Sequence, residues 1–283
     1  MDDQDQERRG KLPVSSSEAP TFAPDQEQMF REVLLQMNEA ELAYTVSGTF
    51  ALHEHTGIWR KTKDLDLFCT KDVQTRAMEF LAAQGFECKV KDAVWLAKAV
   101  RNGYFVDLIT GMSNGVIMVE ESWIQRSVPS LVFGIPVKVL AAEELMVSKI
   151  FVTRRERFDG ADVAHLILAC RDTLDWDRVF NLVGEHWEML LWSLIFFRYI
   201  YPRHASDVPN WVWHKLLGRF ERDLINPNID RPFRGSLIDE NMFNIDVHEW
   251  GFENVIEQYR AQHRPTRRRD DAVQYPEKEK KTA

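Results

Sequence analysis

The run Lys63-Asp64-Leu65-Asp66-Leu67-Phe68 constrains this chain more than any other segment. Acids and leucines alternate, so an extended backbone puts Asp64 and Asp66 on one face and Leu65 and Leu67 on the other. The leucines need a core to enter. The two carboxylates repel one another unless a cation neutralises them. A third acid, Asp107, interrupts the apolar run Tyr104-Phe105-Val106-Asp107-Leu108-Ile109, where a bare buried charge costs several kcal/mol. If the strands carrying Asp66 and Asp107 are neighbours, the three carboxylates converge. Carboxylates without sulfur suit a hard divalent cation, Mg²⁺ or Mn²⁺, with water or phosphate completing its shell.

The rest of the chain supplies a scaffold for such a site. With 283 residues, 45% of them apolar, it can bury a core without disulfide staples. Met29, Phe30, Val33, Leu34 and Met37 recur at helical spacing and predict a helix over 25–38. A strand over 43–46 ends at Ser47-Gly48-Thr49, and a helix over 50–57 stops at Gly57. A strand over 65–68 and a helix over 72–83, ended by Gly85, follow. Runs 86–90, 94–99 and 104–109 read as strands, with Arg101-Asn102-Gly103 turning between the last two. A further strand is expected over 137–140. Helical texture then takes over at 142–152, 159–170, 176–200 and 208–224. The expected architecture is α+β: a small mixed β-sheet domain over 25–133, then a mostly helical domain over 134–259. Residues 1–24 read as a disordered polar leader and 260–283 as a charged disordered tail containing Arg267, Arg268 and Arg269.

Several function classes drop out. A net charge of −8 sets aside broad binding to a phosphate backbone as the main activity; a local basic pocket for one nucleotide or an RNA end stays open. Cys69, Cys88 and Cys170 are too far apart for a metal knuckle and point to a reducing, cytoplasmic setting. No apolar signal segment is visible, and the apolar run 190–197 is shorter than the ~20 residues that cross a bilayer. There is no P-loop, kinase set or G-x-S-x-G. His53-Glu54-His55 is not a zinc-protease motif, and its histidines are expected at the surface. His165 is expected in the core or at its rim. Trp176, Trp187, Trp192, Trp211, Trp213 and Trp250 crowd the second half; packing is the first reading and base stacking the second. The Gly-broken aromatic turns 233–236 and 249–252 could close over a cleft between the two parts.

The pattern Val46-Ser47-Gly48-Thr49, then Asp64-Leu65-Asp66-Leu67, then Asp107 resembles the nucleotidyltransferase superfamily with the DNA polymerase beta-like fold. Within it, Ser47-Gly48-Thr49-Phe50-Ala51-Leu52 and Arg60-Lys61-Thr62-Lys63-Asp64 look most like the AbiEii-type toxins and their uncharacterised relatives. The stretch 137–145 followed by Lys149, and then Arg157 and Asp159-Gly160-Ala161-Asp162, resembles the family's later lysine and aspartate element. The resemblance covers about residues 40–170. It implies that 25–133 is the catalytic domain and 134–259 completes the cleft. It implies that Asp64, Asp66 and Asp107 hold metal and that Asp107 takes the acceptor's proton. Ser47, Gly48 and Thr49 would contact phosphate, with Arg60 and Lys63 nearby. Lys149 would neutralise phosphate charge, and Asp162 would orient Lys149 or the acceptor.

The implied reaction transfers NMP from an NTP to a hydroxyl-bearing acceptor and releases pyrophosphate. The acceptor, whether an RNA end such as tRNA, a small molecule or a protein, is left open. Other readings are a non-catalytic nucleotide-binding regulatory module and the toxin component of a pair with a cognate antitoxin. No membrane partner is expected.

Overall fold

Leu65 and Leu67 are fully buried in β2 (Leu65–Cys69), as their alternation with the acids requires. The structure, a computed structural model, describes residues 17–264. Strand β2 lies in a mixed sheet of seven strands with the order β3-β4-β5-β2-β1-β7-β6. Its members are β1 (Tyr44–Val46), β3 (Glu87–Asp92), β4 (Leu96–Arg101), β5 (Tyr104–Ile109), β6 (Val128–Val132) and β7 (Ile135–Val139). Strands β2 and β5 pair in parallel with Asp66 opposite Asp107. Strands β1 and β7 are also parallel, and the remaining pairs are antiparallel. The β4–β5 turn has Asn102 at φ 54° and Gly103 at φ 83°, the left-handed pair that a two-residue hairpin favours.

Helices α1 (Pro24–Glu39) and α3 (Lys71–Ala83) pack on one another and on the sheet. The predicted stripe of α1 is buried in full. In α3 the apolar residues at helical spacing are Val73, Ala77, Phe80 and Leu81; Val73, Ala77 and Leu81 are buried and Phe80 is half-buried. Gln74 is buried too, and its amide donates to the carbonyl of Leu108 at 2.7 Å, which satisfies a polar group that periodicity places outside. Helix α2 (Gly48–Thr56) starts directly after β1, and Gly57 ends it at φ 70°.

After α4 (Glu121–Arg126), the strand run goes on through β6 and β7 before the helices begin. The expected division at 133/134 falls in the turn of the β6–β7 hairpin, at Phe133 (φ 52°) and Gly134 (φ 73°). Strand β7 starts at Ile135 and enters the sheet beside β1, so the sheet extends past that division. Strand β6 was not anticipated: it is an edge strand with Leu131 68% exposed, and its weak alternation reflects that. The helix-rich part follows, with α5 (Ala142–Ile150), α6 (Gly160–Ala169), α7 (Trp176–Val183), α8 (Trp187–Ile200) and α9 (Asn210–Ile225). A short hairpin, β8 (Thr153–Arg154) and β9 (Arg157–Phe158), separates α5 from α6. Every residue of α5 is buried, and one apolar cluster runs from Met29 in the sheet-bearing part to Leu216 in α9.

Both presumed tails are partly built in. The Phe22 ring packs edge-on against Phe30 and Phe133 at 5.3 and 5.6 Å, so the ordered chain starts before position 25. At the other end, α10 (Gly235–Ile238), α11 (Asn244–His248) and α12 (Ile256–His263) follow, and Arg260 in α12 pairs with Asp92 at 2.7 Å. The leader to residue 16 and the tail beyond 264, with Arg267, Arg268 and Arg269, lie outside the described residues. The apolar run 190–197 falls in α8, which buries Leu190, Leu191, Leu194 and Phe197 and exposes Trp192 and Ile195. Among the described residues no helix is long and apolar enough to cross a membrane.

Candidate functional site

The parallel β2–β5 register brings Asp66 beside Asp107, and Asp64 sits immediately before β2. One carboxylate oxygen from each of Asp64, Asp66 and Asp107 lies within 4.8 Å of the others. The β1–α2 junction closes on this cluster. The Ser47 amide donates to the carbonyl of Asp66 at 2.9 Å, and Gly48 takes a φ of +60°. A Cβ at Gly48 would lie 2.3 Å from Asp66 Oδ2, so only glycine allows both the turn and the carboxylate. We expect Gly48→Ala to displace Asp66 and to weaken Mn²⁺ binding at the carboxylate cluster about tenfold, since the new Cβ meets Asp66 Oδ2 and the backbone is left-handed there. A Gly48→Ala protein that binds Mn²⁺ as the wild type does, read by calorimetry, would refute this account of the junction.

Burial, with the charges of Asp64 and Asp107 adding to it, pushes the Asp66 carboxyl up to about 7. Burial also raises Asp107, against a hydrogen bond from Lys98 Nζ at 2.5 Å. Thr62 Oγ1 donates to Asp64 Oδ1 at 2.7 Å and fixes its rotamer. An all-oxygen donor set whose mutual repulsion is only partly relieved fits a hard divalent cation. The protonation state has a consequence for stability. Asp66 in the folded, metal-free protein binds its proton more tightly than in the unfolded chain. Its contribution is therefore most favourable below the ordinary carboxylate range and is lost as pH rises towards 7. Asp66→Asn should thus raise the melting temperature of the metal-free protein at pH 8 and change it little at pH 4. Equal shifts at both values would contradict this.

A second group of charges faces the first. Lys149, on α5 and 8% exposed, donates to Asp159 Oδ2 at 2.8 Å and Asp162 Oδ2 at 3.0 Å. Arg157 holds Asp159 through two bonds of 2.9 Å. Burial opposes ionisation of Asp159, but the bonds from Arg157 and the Lys149 charge prevail and keep its carboxyl below the usual range. Arg60 Nε donates to Asp162 Oδ1 at 2.8 Å, and its Nη2 lies 3.2 Å from His165 Nδ1. Burial and the Arg60 charge keep His165 below its ordinary value. The charges of Lys149 and Arg157 both act on Asp66.

The predicted residues thus line one cleft of about 1420 Å³, including Ser47, Gly48, Lys63, Asp64, Asp107 and Lys149. That exceeds the roughly 300–1,000 Å³ of a usual small-molecule site. Thr49 lines the cleft as well. Its hydroxyl donates to the Arg60 carbonyl at 3.1 Å and accepts from the Arg60 amide at 2.8 Å, so it ties down the loop before β2. Lys63 is exposed at the rim. The paired histidines are not free surface groups: His53 stacks on Trp59 at 3.9 Å, and the His55 ring nitrogen Nε2 lies 2.7 Å from the Leu140 carbonyl oxygen. The turns at 233–236 and 249–252 pack on each other through Phe233 and Phe252, and Leu237 reaches the cleft.

Sequence reasoning missed Lys98, although counting outward from the Asn102-Gly103 turn pairs it with Asp107. It also missed the hold of Arg157 and Asp159 on the Lys149 group. No local signal marks that hold, because it joins α5, β9 and α6 in space.

Asp66 and Asp107 on the sheet and Asp64 just ahead of β2 converge beside a glycine turn, and a helix-rich part follows, as the resemblance to nucleotidyltransferases implies. The chain belongs to the family described as "Nucleotidyl transferase of unknown function (DUF2204)", whose profile matches residues 26–185. No curated protein matches the chain. Among solved structures it is similar to the antibiotic-resistance factor ANT(2'')-Ia, at 15% identity and a TM-score of 0.42, over 60% of this chain and 95% of that one. An antigenic nucleotidyltransferase-like protein from Paracoccidioides brasiliensis is similar at 17% identity and a TM-score of 0.42, over 67% of this chain and 94% of that one. The lincosamide antibiotic adenylyltransferase LnuA is similar at 13% identity and a TM-score of 0.36, over 53% of this chain and 98% of that one.

Proposed function

We propose that this protein is a Mg²⁺-dependent nucleotidyltransferase that transfers NMP from an NTP to an acceptor hydroxyl. The observation that carries the reading is the convergence of Asp64, Asp66 and Asp107 against the Gly48 turn. The three aspartates would hold Mg²⁺, or Mn²⁺, which supplies charge neutralisation at the phosphates when bound. The acceptor oxygen bonds to the α-phosphorus, the bond to the β-phosphate oxygen breaks, and pyrophosphate leaves with that electron pair. Asp107 takes the hydroxyl proton, and Lys98 stands ready to stabilise its charge again. Gly48 lets the backbone approach the phosphates, and Ser47 stands beside it. Thr49 serves by fixing the Arg60 loop. Lys149 neutralises charge on the leaving pyrophosphate, with Asp159 and Asp162 orienting its ammonium group. Arg60 orients Asp162, and Lys63 meets phosphate at the rim.

Calorimetric titration of each NTP with Mg²⁺ tests this, with wild type and Asp64→Asn/Asp66→Asn side by side. Metal-dependent binding lost in the double variant is expected; binding that the double variant retains overturns the reading. No observation favours a non-catalytic module, since all three carboxylates are present and converge. The AbiEii-type likeness of 47–52 supports a toxin with a cognate antitoxin as the biological role, and growth arrest on expression that needs Asp64 and Asp66 would check it. Three free cysteines and the use of NTP suit a cytoplasmic place.

A further inference from the structure

The cleft continues onto an aromatic surface that the transferase reading does not use. Phe158, at the end of the 153–158 hairpin, lines the cleft and is 47% exposed. Its ring lies 6.0 Å from that of Trp192 and 5.4 Å from that of Phe196, both on α8. Trp192 is 44% exposed, and Tyr199, two turns further along the helix, is 84% exposed. The three aromatic positions 192, 196 and 199 share one face of α8.

Cations flank this path. The hairpin carries Arg154, Arg155 and Arg157 against the single acid Glu156. Arg154 and Arg157 line the cleft, as do Lys61 and Lys63 across from them. Deeper in, Asp159 and Asp162 are outnumbered by Lys149, Arg157 and Arg60, which bind them. Outside the metal-type cluster the unbalanced charge of the cleft is therefore positive. A polycationic acceptor would meet repulsion there, and an anionic one would be drawn in. Stackable rings in line with cations are what binds a single strand without reading its sequence: backbone phosphates meet the cations and bases meet the rings. The cleft volume leaves room for a terminal nucleotide beside an NTP.

We propose that the acceptor is the 3′ end of a single-stranded polynucleotide, seated on the 153–158 hairpin and the Phe158–Trp192 face of α8. The inference rests on the transferase reading. The terminal 3′ oxygen bonds to the α-phosphorus of the NTP and pyrophosphate departs. The hydroxyl proton passes to Asp107, and the strand grows by one nucleotide.

The test is anisotropy titration of a labelled single-stranded oligoribonucleotide, its deoxyribo counterpart and a blunt duplex into the full chain. Wild type, Trp192→Ala and Arg155→Ala are compared, and each variant is also titrated with Mg²⁺ and NTP by calorimetry. Single strands are expected to bind better than the duplex. Trp192→Ala should weaken them about tenfold, the value of one lost base stack. Arg155→Ala should flatten the salt dependence by about 0.7 in the log–log slope, the loss of one phosphate contact to a single strand. Both variants should bind Mg²⁺–NTP as wild type does. The ribo and deoxyribo arms tell which sugar is used, and binding of either supports the proposal. Absent strand binding with intact Mg²⁺–NTP binding overturns it and leaves the transferase standing. Strand binding that neither substitution changes also overturns it. So does a Trp192→Ala protein whose sedimentation changes while strand binding does not, because the face would then join protein chains. Loss of NTP binding in the wild type would instead bring down the transferase reading itself.

Discussion

Asp64→Asn/Asp66→Asn is expected to remain folded, to melt above the wild type at pH 8 without metal, and to lose nucleotidyl transfer by about 10³-fold or more. The two effects have one origin. Three carboxylates within 4.8 Å of one another repel, and burial together with the charges of Asp64 and Asp107 pushes the Asp66 carboxyl up to about 7. Amides of the same shape remove that repulsion. In the proposed reaction they also take away the anionic ligands of a hard cation, whose neutralisation of phosphoryl charge is worth several kcal/mol, and each 1.36 kcal/mol is a factor of ten in rate. Turnover with radiolabelled NTP, read beside thermal melts at pH 8, checks both. A double variant that transfers at the wild-type rate would remove the aspartates from the mechanism. One that is merely less stable would show them to be structural.

Lys149→Ala is expected to destabilise the fold by about 3–5 kcal/mol, because it leaves two buried carboxylates without the cation between them. Asp159 and Asp162 both take their shortest links to α5 from this ammonium group. Arg157 and Arg60 still hold one carboxylate each, but at 67% and 42% exposed they leave the buried oxygens that face α5 unpaired. Urea titration measures the loss. The triple variant Asp159→Asn/Lys149→Met/Asp162→Asn separates structure from chemistry. With no charge left buried it should recover most of the stability, yet remain slow by about 10²-fold, because the positive charge that the proposed reaction sets against the pyrophosphate is gone. Recovery of activity together with stability would show that Lys149 only holds helices together.

The parts of the site legible in the sequence were those that a local rule encodes. Alternation in 64–67 fixed which side chains share a face. The apolar company of Asp107 marked it as anomalous, and the pairing of Gly48 with a strand end marked a turn. Helix faces were legible for the same reason: the α1 stripe of Met29, Phe30, Val33, Leu34 and Met37 is buried in full. Where an element gets its burial from a distant partner, periodicity fails. Strand β6 sits at a sheet edge, and its sequence gives no alternation that marks it as a strand. Gln74 is buried because the Leu108 carbonyl awaits it. Phe22 lies in what reads as a polar leader and is held by rings from Phe30 and Phe133.

By itself the sequence determined an α+β chain with Asp64 and Asp66 facing one way, an anomalous Asp107 in an apolar strand and a glycine turn, because side-chain facing depends only on backbone period. Only the tertiary structure decided that β2 and β5 run in parallel with Asp66 opposite Asp107, and that β7 slots in beside β1. Only it set Lys149, Arg157 and Arg60 around Asp159 and Asp162. Strand order and long-range ion pairing depend on which distant surfaces gain most by burial together. That balance is struck between segments up to 168 residues apart, and no local pattern records it.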